Sequence, residues 1–212
     1  MSASARSESD MSRPPFILAS ASAVRAELLS GAGISFEAKD SRVDEDALKE
    51  RFAGSNSDDD TDALALELAS AKALAVAAAN GDALVLGADQ ILSCNGRRYD
   101  KPKSMAEARA NLSAFRGHPH ILHSGLALAA KGEVVWRHNA RATLTMRDFS
   151  DAFLDAYLAE AGEKVMKSVG CYQLEGPGVQ LFEKIDGDYF TILGLPLLPL
   201  LDELRKRGLV TA

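Results

Sequence analysis

The chain has 212 residues, of which 47% are hydrophobic and 25% are charged, and its formal net charge is -6. These values are typical of soluble globular proteins, and the length fits one large domain or two closely packed lobes. The negative charge argues against a general nucleic-acid-binding protein, which usually has a basic surface. No apolar run is long enough to span a bilayer, and two cysteines, Cys94 and Cys171, are too few for a disulfide framework. We therefore expect a cytoplasmic protein that binds neither a membrane nor a nucleic-acid polymer.

Strand and helix signals alternate in the N-terminal half. The polar residues 1–14 predict a disordered tail, and residues 15–210 predict a single domain. The apolar run 16–19 predicts a buried strand, and Ser22 can cap a helix that extends toward Ala32. Residues 35–39 predict a second short strand. Residues 54–62 predict an acidic loop before a long helix that starts at Asp62 and ends at Asn80.

The C-terminal half shows several hairpin signals. A strand over 83–93 precedes a tight turn at 95–96, and Ser104 with Glu107 forms a capping box for a helix to residue 116. Strands are predicted over 121–129 and 133–145, a helix from Ser150, a hairpin of 179–185 with 189–193, and a final helix after Pro196. Hairpins imply antiparallel strand pairs, so we predict an α/β fold with a mixed sheet flanked by helices.

Asp89 is the first candidate for chemistry. It follows an apolar strand and the small pair Gly87-Ala88. A carboxylate at a strand end with small neighbours can approach a ligand closely. An ordinary turn aspartate is the alternative interpretation of this residue.

Two further features place positive charge or backbone N–H groups near that position. Lys101 follows the hairpin turn and returns toward Asp89, where its ammonium group can hold a phosphate; a solvated loop lysine is the alternative. Ser20 and Ser22 join the first strand to the first helix, with Arg25 in the first turn. Such helix starts bind anions, although Ser22 can be an ordinary N-cap.

The histidines give a weaker signal. His118, His120 and His123 are close in sequence, but a strand does not offer this spacing cleanly to one metal ion. We therefore favour structural or solvated histidines over a zinc site.

Taken in order, these segments resemble the Maf family. The opening Leu18-Ala19-Ser20-Ala21-Ser22-x-x-Arg25-x-Glu27-Leu28-Leu29 is similar to its L-A-S-x-S-P-x-R-x-E-L-L signature. Further similarities follow along the chain: Val43-Asp44-Glu45, Lys72-Ala73, Gly87-Ala88-Asp89, Lys101-Pro102, Gly117-x-x-His120, Gly187-Asp188-Tyr189 and Gly194-Leu195-Pro196-Leu197. The resemblance extends from Phe16 to Gly208 and implies an elongated fold with a cleft between two lobes.

The resemblance implies hydrolysis of a nucleoside triphosphate between its α- and β-phosphates. Asp89 is then the base for the attacking water. The expected phosphate-binding residues are Ser20, Ser22, Arg25, Lys72 and Lys101. Glu45 and Asp89 are the expected ligands of a divalent metal, Mg²⁺ or Mn²⁺. Whether Asp89 acts as base, metal ligand or both stays open, and the family also suggests a homodimer.

Three positions bear on the nucleobase. The three positions are Val24, Gln90 and Glu175 in this chain. The resemblance implies Arg, Thr and Gln there in the subgroup that acts on thymidine and uridine triphosphates. Gln90 and Glu175 resemble instead the subgroup acting on 7-methylguanosine triphosphate. A carboxylate at position 175 can accept hydrogen bonds from the N–H groups of a guanine edge, which a pyrimidine O4 does not offer. Val24 lacks a ring that would stack on a methylated base, so another modified nucleotide is an equal alternative. A nucleotide-binding regulator of septum formation and a plain triphosphate phosphohydrolase are the competing functions.

Overall fold

The computed structural model describes residues 14–54 and 57–211. The tail expected at residues 1–14 lies outside these ranges, Pro14 excepted. No helix within the described ranges has both the length and the apolar character needed to cross a membrane.

The described residues form one seven-stranded mixed sheet in the order β2-β1-β3-β5-β6-β7, with β4 paired to β3. The two pairs made by β1 are parallel and all the others are antiparallel, which confirms the predicted mixed sheet. The strands are β1 (Phe16–Ala19), β2 (Glu37–Ala38), β3 (Leu84–Cys94), β4 (Arg97–Tyr99), β5 (Pro119–Ala130), β6 (Glu133–Met146) and β7 (Phe182–Asp186).

Helices flank this sheet, and serine side chains begin several of them. Ser22, Ser104 and Ser150 each accept a hydrogen bond from the backbone N–H three residues later, as their sequence contexts predict. The helices are α1 (Ala23–Gly31), α2 (Glu45–Glu50), α3 (Asp58–Ala77), α4 (Met105–Phe115), α5 (Asp151–Ala161), α6 (Tyr189–Ile192) and α7 (Leu197–Lys206), with 3-10 turns at Gly162–Lys167 and Pro177–Leu181.

The structure corrects the expected start of the long helix α3. It begins at Asp58 rather than Asp62, because Ser57 is the N-cap and its hydroxyl accepts from the backbone N–H of Asp60 at 3.1 Å. Three acidic residues, 58–60, then occupy the first turn. Negative charge is favourable there because it complements the helix dipole. Their acidic character had suggested a loop, whereas residues 58–60 form the first turn of α3.

Residues 189–193 are also corrected, because they do not form a strand. Asp188 accepts hydrogen bonds from the backbone N–H groups of Phe190 at 2.9 Å and Thr191 at 3.1 Å, and thereby caps the short helix α6. The strand β7 pairs with β6 instead of forming a hairpin with this segment. The expected strand at 35–39 is reduced to Glu37–Ala38, and helix α2, capped by Asp44, was not predicted.

The two largest hydrophobic clusters of the described residues lie along the long central strands. Leu86 and Leu126 belong to a core that also packs β1, α1 and α7. Leu92 and Leu122, on the same two strands, belong to a second core that packs α4 and α5. Asp89 is therefore located on β3 between the strand segments that enter the two cores.

Two glycines allow α3 to lie unusually close to the sheet. A Cβ atom on Gly87 would stand 2.0 Å from the carbonyl oxygen of Ala69, and one on Gly125 would stand 2.5 Å from that of Ala65. Gly125 is the register partner of Asp89 on β5. The absence of side chains at these positions is what brings Lys72 of α3 against Asp89.

Candidate active site

Asp89, Lys72 and Glu45 form the centre of the candidate active site. The Lys72 Nζ atom lies 2.5 Å from Asp89 Oδ1 and 2.7 Å from Glu45 Oε1. The Lys72 and Asp89 side chains are each 11% exposed, whereas that of Glu45 is 39% exposed. The structure thus brings together three residues that are far apart in the sequence and lie on α2, α3 and β3.

Arg25 is held rigidly beside this centre by three acceptors. Its Nε atom donates to the Gly194 carbonyl at 2.9 Å, and its Nη1 atom donates to the Ala88 carbonyl at 2.8 Å and to Ser20 Oγ at 3.2 Å. Burial lowers the pKa of Arg25, while the negative charges of Asp89 and Glu45 oppose that shift. These bonds use Nε and Nη1, and a phosphate-binding role for Arg25 stays a prediction.

Lys101 lies within the electrostatic field of the same residues. Burial lowers its pKa, and the positive charges of Arg25 and Lys72 lower it further, while Asp89 and Glu45 oppose the shift. The residue as a whole is exposed, whereas its ammonium group is partly enclosed, and Lys101 forms no ion pair with the rest of the described chain. The hairpin of β3 with β4 returns the chain to this point, as the sequence had suggested.

Lys49 and Asp100 extend the site and were missed from the sequence. Lys49 follows Glu45 by one helical turn on α2, and its Nζ atom lies 3.9 Å from Glu45 Oε2 and 2.7 Å from Asp100 Oδ1. Asp100 immediately precedes Lys101. Asp44 is the sequence signal that could have revealed Lys49, because aspartate commonly caps a helix. Its side chain accepts from the backbone N–H of Ala47, and the helix that begins there places residues 45 and 49 on one face.

The two serines of the first loop have different neighbours. Ser20 Oγ accepts from Arg25 and from the backbone N–H of Ser22 at 3.2 Å, so it orients the guanidinium group. Ser22 Oγ accepts from the Arg25 backbone N–H at 3.4 Å and is the N-cap of α1. Val24 is partly buried on the same helix. The phosphate-binding roles of Ser20 and Ser22 stay predictions.

Gln90 points away from Asp89, because successive strand residues face opposite sides of a sheet. Its Nε2 atom lies 2.9 Å from the Thr191 carbonyl and 3.0 Å from Ser124 Oγ. A Cβ atom on Gly194 would be 3.4 Å from Gln90 Oε1. Gln90 therefore ties β3 to the turn whose Gly194 carbonyl holds Arg25, and its expected role in base specificity stays a prediction.

Glu175 is exposed and forms no ion pair or hydrogen bond with the Asp89 centre. It lines a cavity of about 380 Å³ between the end of α5 and the segment before the second 3-10 turn. Polar and aromatic side chains share that cavity, namely Tyr157, Glu160, Lys164 and Gln173. A volume in this range can accommodate a small ligand. Recognition of a base by Glu175 stays a prediction.

The histidines have separate structural environments. His120 is buried beside Tyr172, whose hydroxyl lies 2.8 Å from its Nε2 atom, and burial lowers the pKa of His120 to about 3. His123 lies on the other face of β5, with Nδ1 2.7 Å from Asp62 and Nε2 2.9 Å from Ser93. Within the described ranges no three His, Cys, Asp or Glu side chains are grouped so that they would hold a metal.

A divalent metal nevertheless fits the two carboxylates of Glu45 and Asp89. Both direct an oxygen at one buried ammonium group, so their oxygens converge on a single point of positive charge. Mg²⁺ is commonly held by one or two carboxylates together with substrate phosphates and water. The two carboxylates are therefore of the right chemical type for such an ion, and metal binding stays a prediction.

Comparison with known proteins places this chain in a family. Residues 15–207 match the family described as Maf-like protein. The chain is 51% identical over 200 residues to a 7-methyl-GTP pyrophosphatase of Rhizobium meliloti, a match that covers 94% of this chain and all of the relative. It is 50% identical over 201 residues to a nucleoside triphosphate pyrophosphatase of Caulobacter vibrioides, a match that covers 95% of this chain and all of the relative. The chain belongs to the Maf-like protein family.

Proposed function

We propose that this protein is a hydrolase that cleaves a nucleoside triphosphate between its α- and β-phosphates and releases a monophosphate and pyrophosphate. The observation that supports it best is the contact of Asp89 with Lys72 and Glu45, with Arg25 and Lys101 in the same electrostatic field. Family membership and the two relatives named as pyrophosphatases agree with it.

Asp89 is the proposed general base. A water oxygen forms a bond to the α-phosphorus, its proton passes to the Asp89 carboxylate, and the bond to the bridging oxygen breaks so that pyrophosphate leaves. Negative charge grows on the phosphate oxygens during this step. Arg25, Lys72 and Lys101 stabilise that charge, because fixed cations in a partly buried site need no reorganisation as the reaction proceeds.

Glu45 and Asp89 are the proposed holders of Mg²⁺ or Mn²⁺, which would supply positive charge for the triphosphate. The carboxylates already share Lys72, so a divalent cation and the ammonium group compete for the same oxygens. This arrangement predicts weak metal binding without nucleotide and tighter binding with it. Calorimetric titration of Mg²⁺ with and without a non-hydrolysable triphosphate tests it, and Glu45→Gln should weaken the nucleotide-dependent binding.

A modified or non-standard nucleotide is the proposed substrate. The support is the relatives named for 7-methyl-GTP, and Gln90 and Glu175 are the residues proposed to recognise the base. Such a role would remove unwanted nucleotides from the cytoplasm. Two free, buried thiols, Cys94 and Cys171, agree with that compartment. The homodimer stays a prediction that light scattering on the purified protein can check.

A panel of nucleotides incubated with Mg²⁺ or Mn²⁺ tests the activity, with pyrophosphate and orthophosphate measured separately. Pyrophosphate should appear with at least one nucleotide and should fall about a thousandfold in Asp89→Asn, the order of a lost general base. No release above the Asp89→Asn background for any nucleotide would favour a binding protein with little turnover. Orthophosphate as first product would indicate a plain triphosphate phosphohydrolase.

A further inference from the structure

Five charged side chains of alternating sign form a continuous series through the site. In order they are Asp89, Lys72, Glu45, Lys49 and Asp100, and we refer to them as the ion-pair chain. Neighbouring charges are 2.5 to 3.9 Å apart. The chain connects the buried centre to the surface next to Lys101.

The inner and outer ends of the ion-pair chain differ in exposure. Lys72 and Asp89 are each 11% exposed, whereas Lys49 is 32% and Asp100 is 72% exposed. A surface ion pair contributes only about 0–1 kcal/mol, because water screens it and both side chains lose freedom. Lys49 can therefore leave Asp100 at little cost when a better anion arrives.

Lys49 is a cation suited to that exchange. Burial alone would lower its pKa, but the hydrogen bond and charge of Asp100, with the charges of Glu45 and Asp89, raise it. Geometry joins Lys49 to the centre, because its Nζ atom lies 3.9 Å from Glu45 Oε2 and Glu45 in turn contacts Lys72. If Glu45 and Asp89 held a metal-bound triphosphate, Lys49 would be a cation next to one of the two carboxylates that hold it.

We propose that Lys49 is a further substrate-binding residue, which contacts the triphosphate and which Asp100 holds in place when no substrate is bound. This inference rests on the proposed function of the Asp89 centre. Lys49 and Lys101 would then bind the outer phosphates from two sides, Lys49 from α2 and Lys101 from the segment after β4. Asp100 acts as a competing anion, so it weakens substrate binding rather than supporting it.

The experiment measures binding of inorganic tripolyphosphate by titration calorimetry at low salt in Mg²⁺ buffer. Lys49→Ala should weaken binding about tenfold, the size of one hydrogen bond between charged groups. Asp100→Asn should strengthen it about threefold, because it removes a surface ion pair that competes with the ligand. Lys49→Arg should restore part of the loss.

The matched control is the pair formed by Lys206 and Asp202 on α7, which has the same 2.7 Å separation but no contact with the site. Lys206→Ala and Asp202→Asn should leave tripolyphosphate binding unchanged. Circular dichroism shows whether each variant is folded. If Lys49→Ala is not folded, Lys49→Gln replaces it, because glutamine keeps most of the side chain without the charge.

The two site variants must act in opposite directions if the proposal holds. Equal weakening by Lys49→Ala and Asp100→Asn would show that the pair merely stabilises the fold and would overturn the proposal. Unchanged binding in Lys49→Ala would overturn it as well. Failure of the proposed function is distinguishable, because the wild type would then bind tripolyphosphate but cleave no nucleotide in the panel.

Discussion

Replacement of Gly87 by alanine tests whether close packing of α3 creates the active site. The added Cβ would stand 2.0 Å from the Ala69 carbonyl oxygen and 2.8 Å from the Ala73 nitrogen, whereas ordinary contact begins at 3.4 Å. Both obstacles are backbone atoms of α3, so rotation of a side chain cannot relieve the clash. The helix must move away from β3 by about 1 Å or more.

That movement should cost both stability and activity. Overpacking of this kind destabilises by about 1–3 kcal/mol, and each kcal/mol lowers Tm by roughly 2–4 °C for a protein of this size. Lys72 lies one turn along α3 from Ala69, so its 2.5 Å contact with Asp89 would lengthen with the helix. A misplacement of about 1 Å in a catalytic site can lower kcat/KM about a hundredfold.

Thermal unfolding and pyrophosphate release measure the two effects separately. Gly81→Ala is the matched control, because Gly81 lies just beyond α3 and a Cβ there has no atom within 4 Å. Values of Tm and kcat/KM for Gly87→Ala equal to those of Gly81→Ala would refute the argument that the glycine sets the helix position. A loss of stability with full activity would show that Lys72 keeps its place while α3 moves.

Three further predictions concern single side chains. Lys101→Ala should raise KM about tenfold. Because the pKa of Lys101 is lowered, its positive charge is lost as pH rises through that pKa, so the KM of the wild type should rise at alkaline pH and that of the variant should not. Identical pH profiles of KM would contradict this prediction. The pKa of His120 is about 3 in the folded protein against 6.5 in the unfolded chain, so its contribution to stability is present above pH 6.5 and is lost as pH falls toward 3. The free energy of unfolding in urea should therefore fall less between pH 7 and 5 in His120→Gln than in the wild type. Glu175→Gln should shift preference away from guanine-type nucleotides while Glu160→Gln, on the same cavity, should not; equal profiles would remove Glu175 from base recognition.

The sequence determined most of the local structure and the identity of the central residues. Apolar runs, serine caps and the Asn95-Gly96 turn act over a few residues, so β1, α1, α4, α5 and the central hairpins are found close to where they were predicted. The errors came from competing local signals. Three aspartates after Ser57 suggested a loop although they favour a helix start. Asp188 caps a helix where a turn signal had suggested the second strand of a hairpin.

Only the tertiary structure decided how the charges meet. Lys72 lies 17 residues before Asp89 in the chain, and its contact requires α3 to pack on two glycines of different strands. Gln90 is next to Asp89 in sequence but faces the opposite side of the sheet, where it ties Thr191 to β3. Lys49 and Asp100 have no motif of their own, because their pairing depends on where α2 and β4 end. Residue types are local properties, whereas distances between charges depend on packing between elements far apart in the chain.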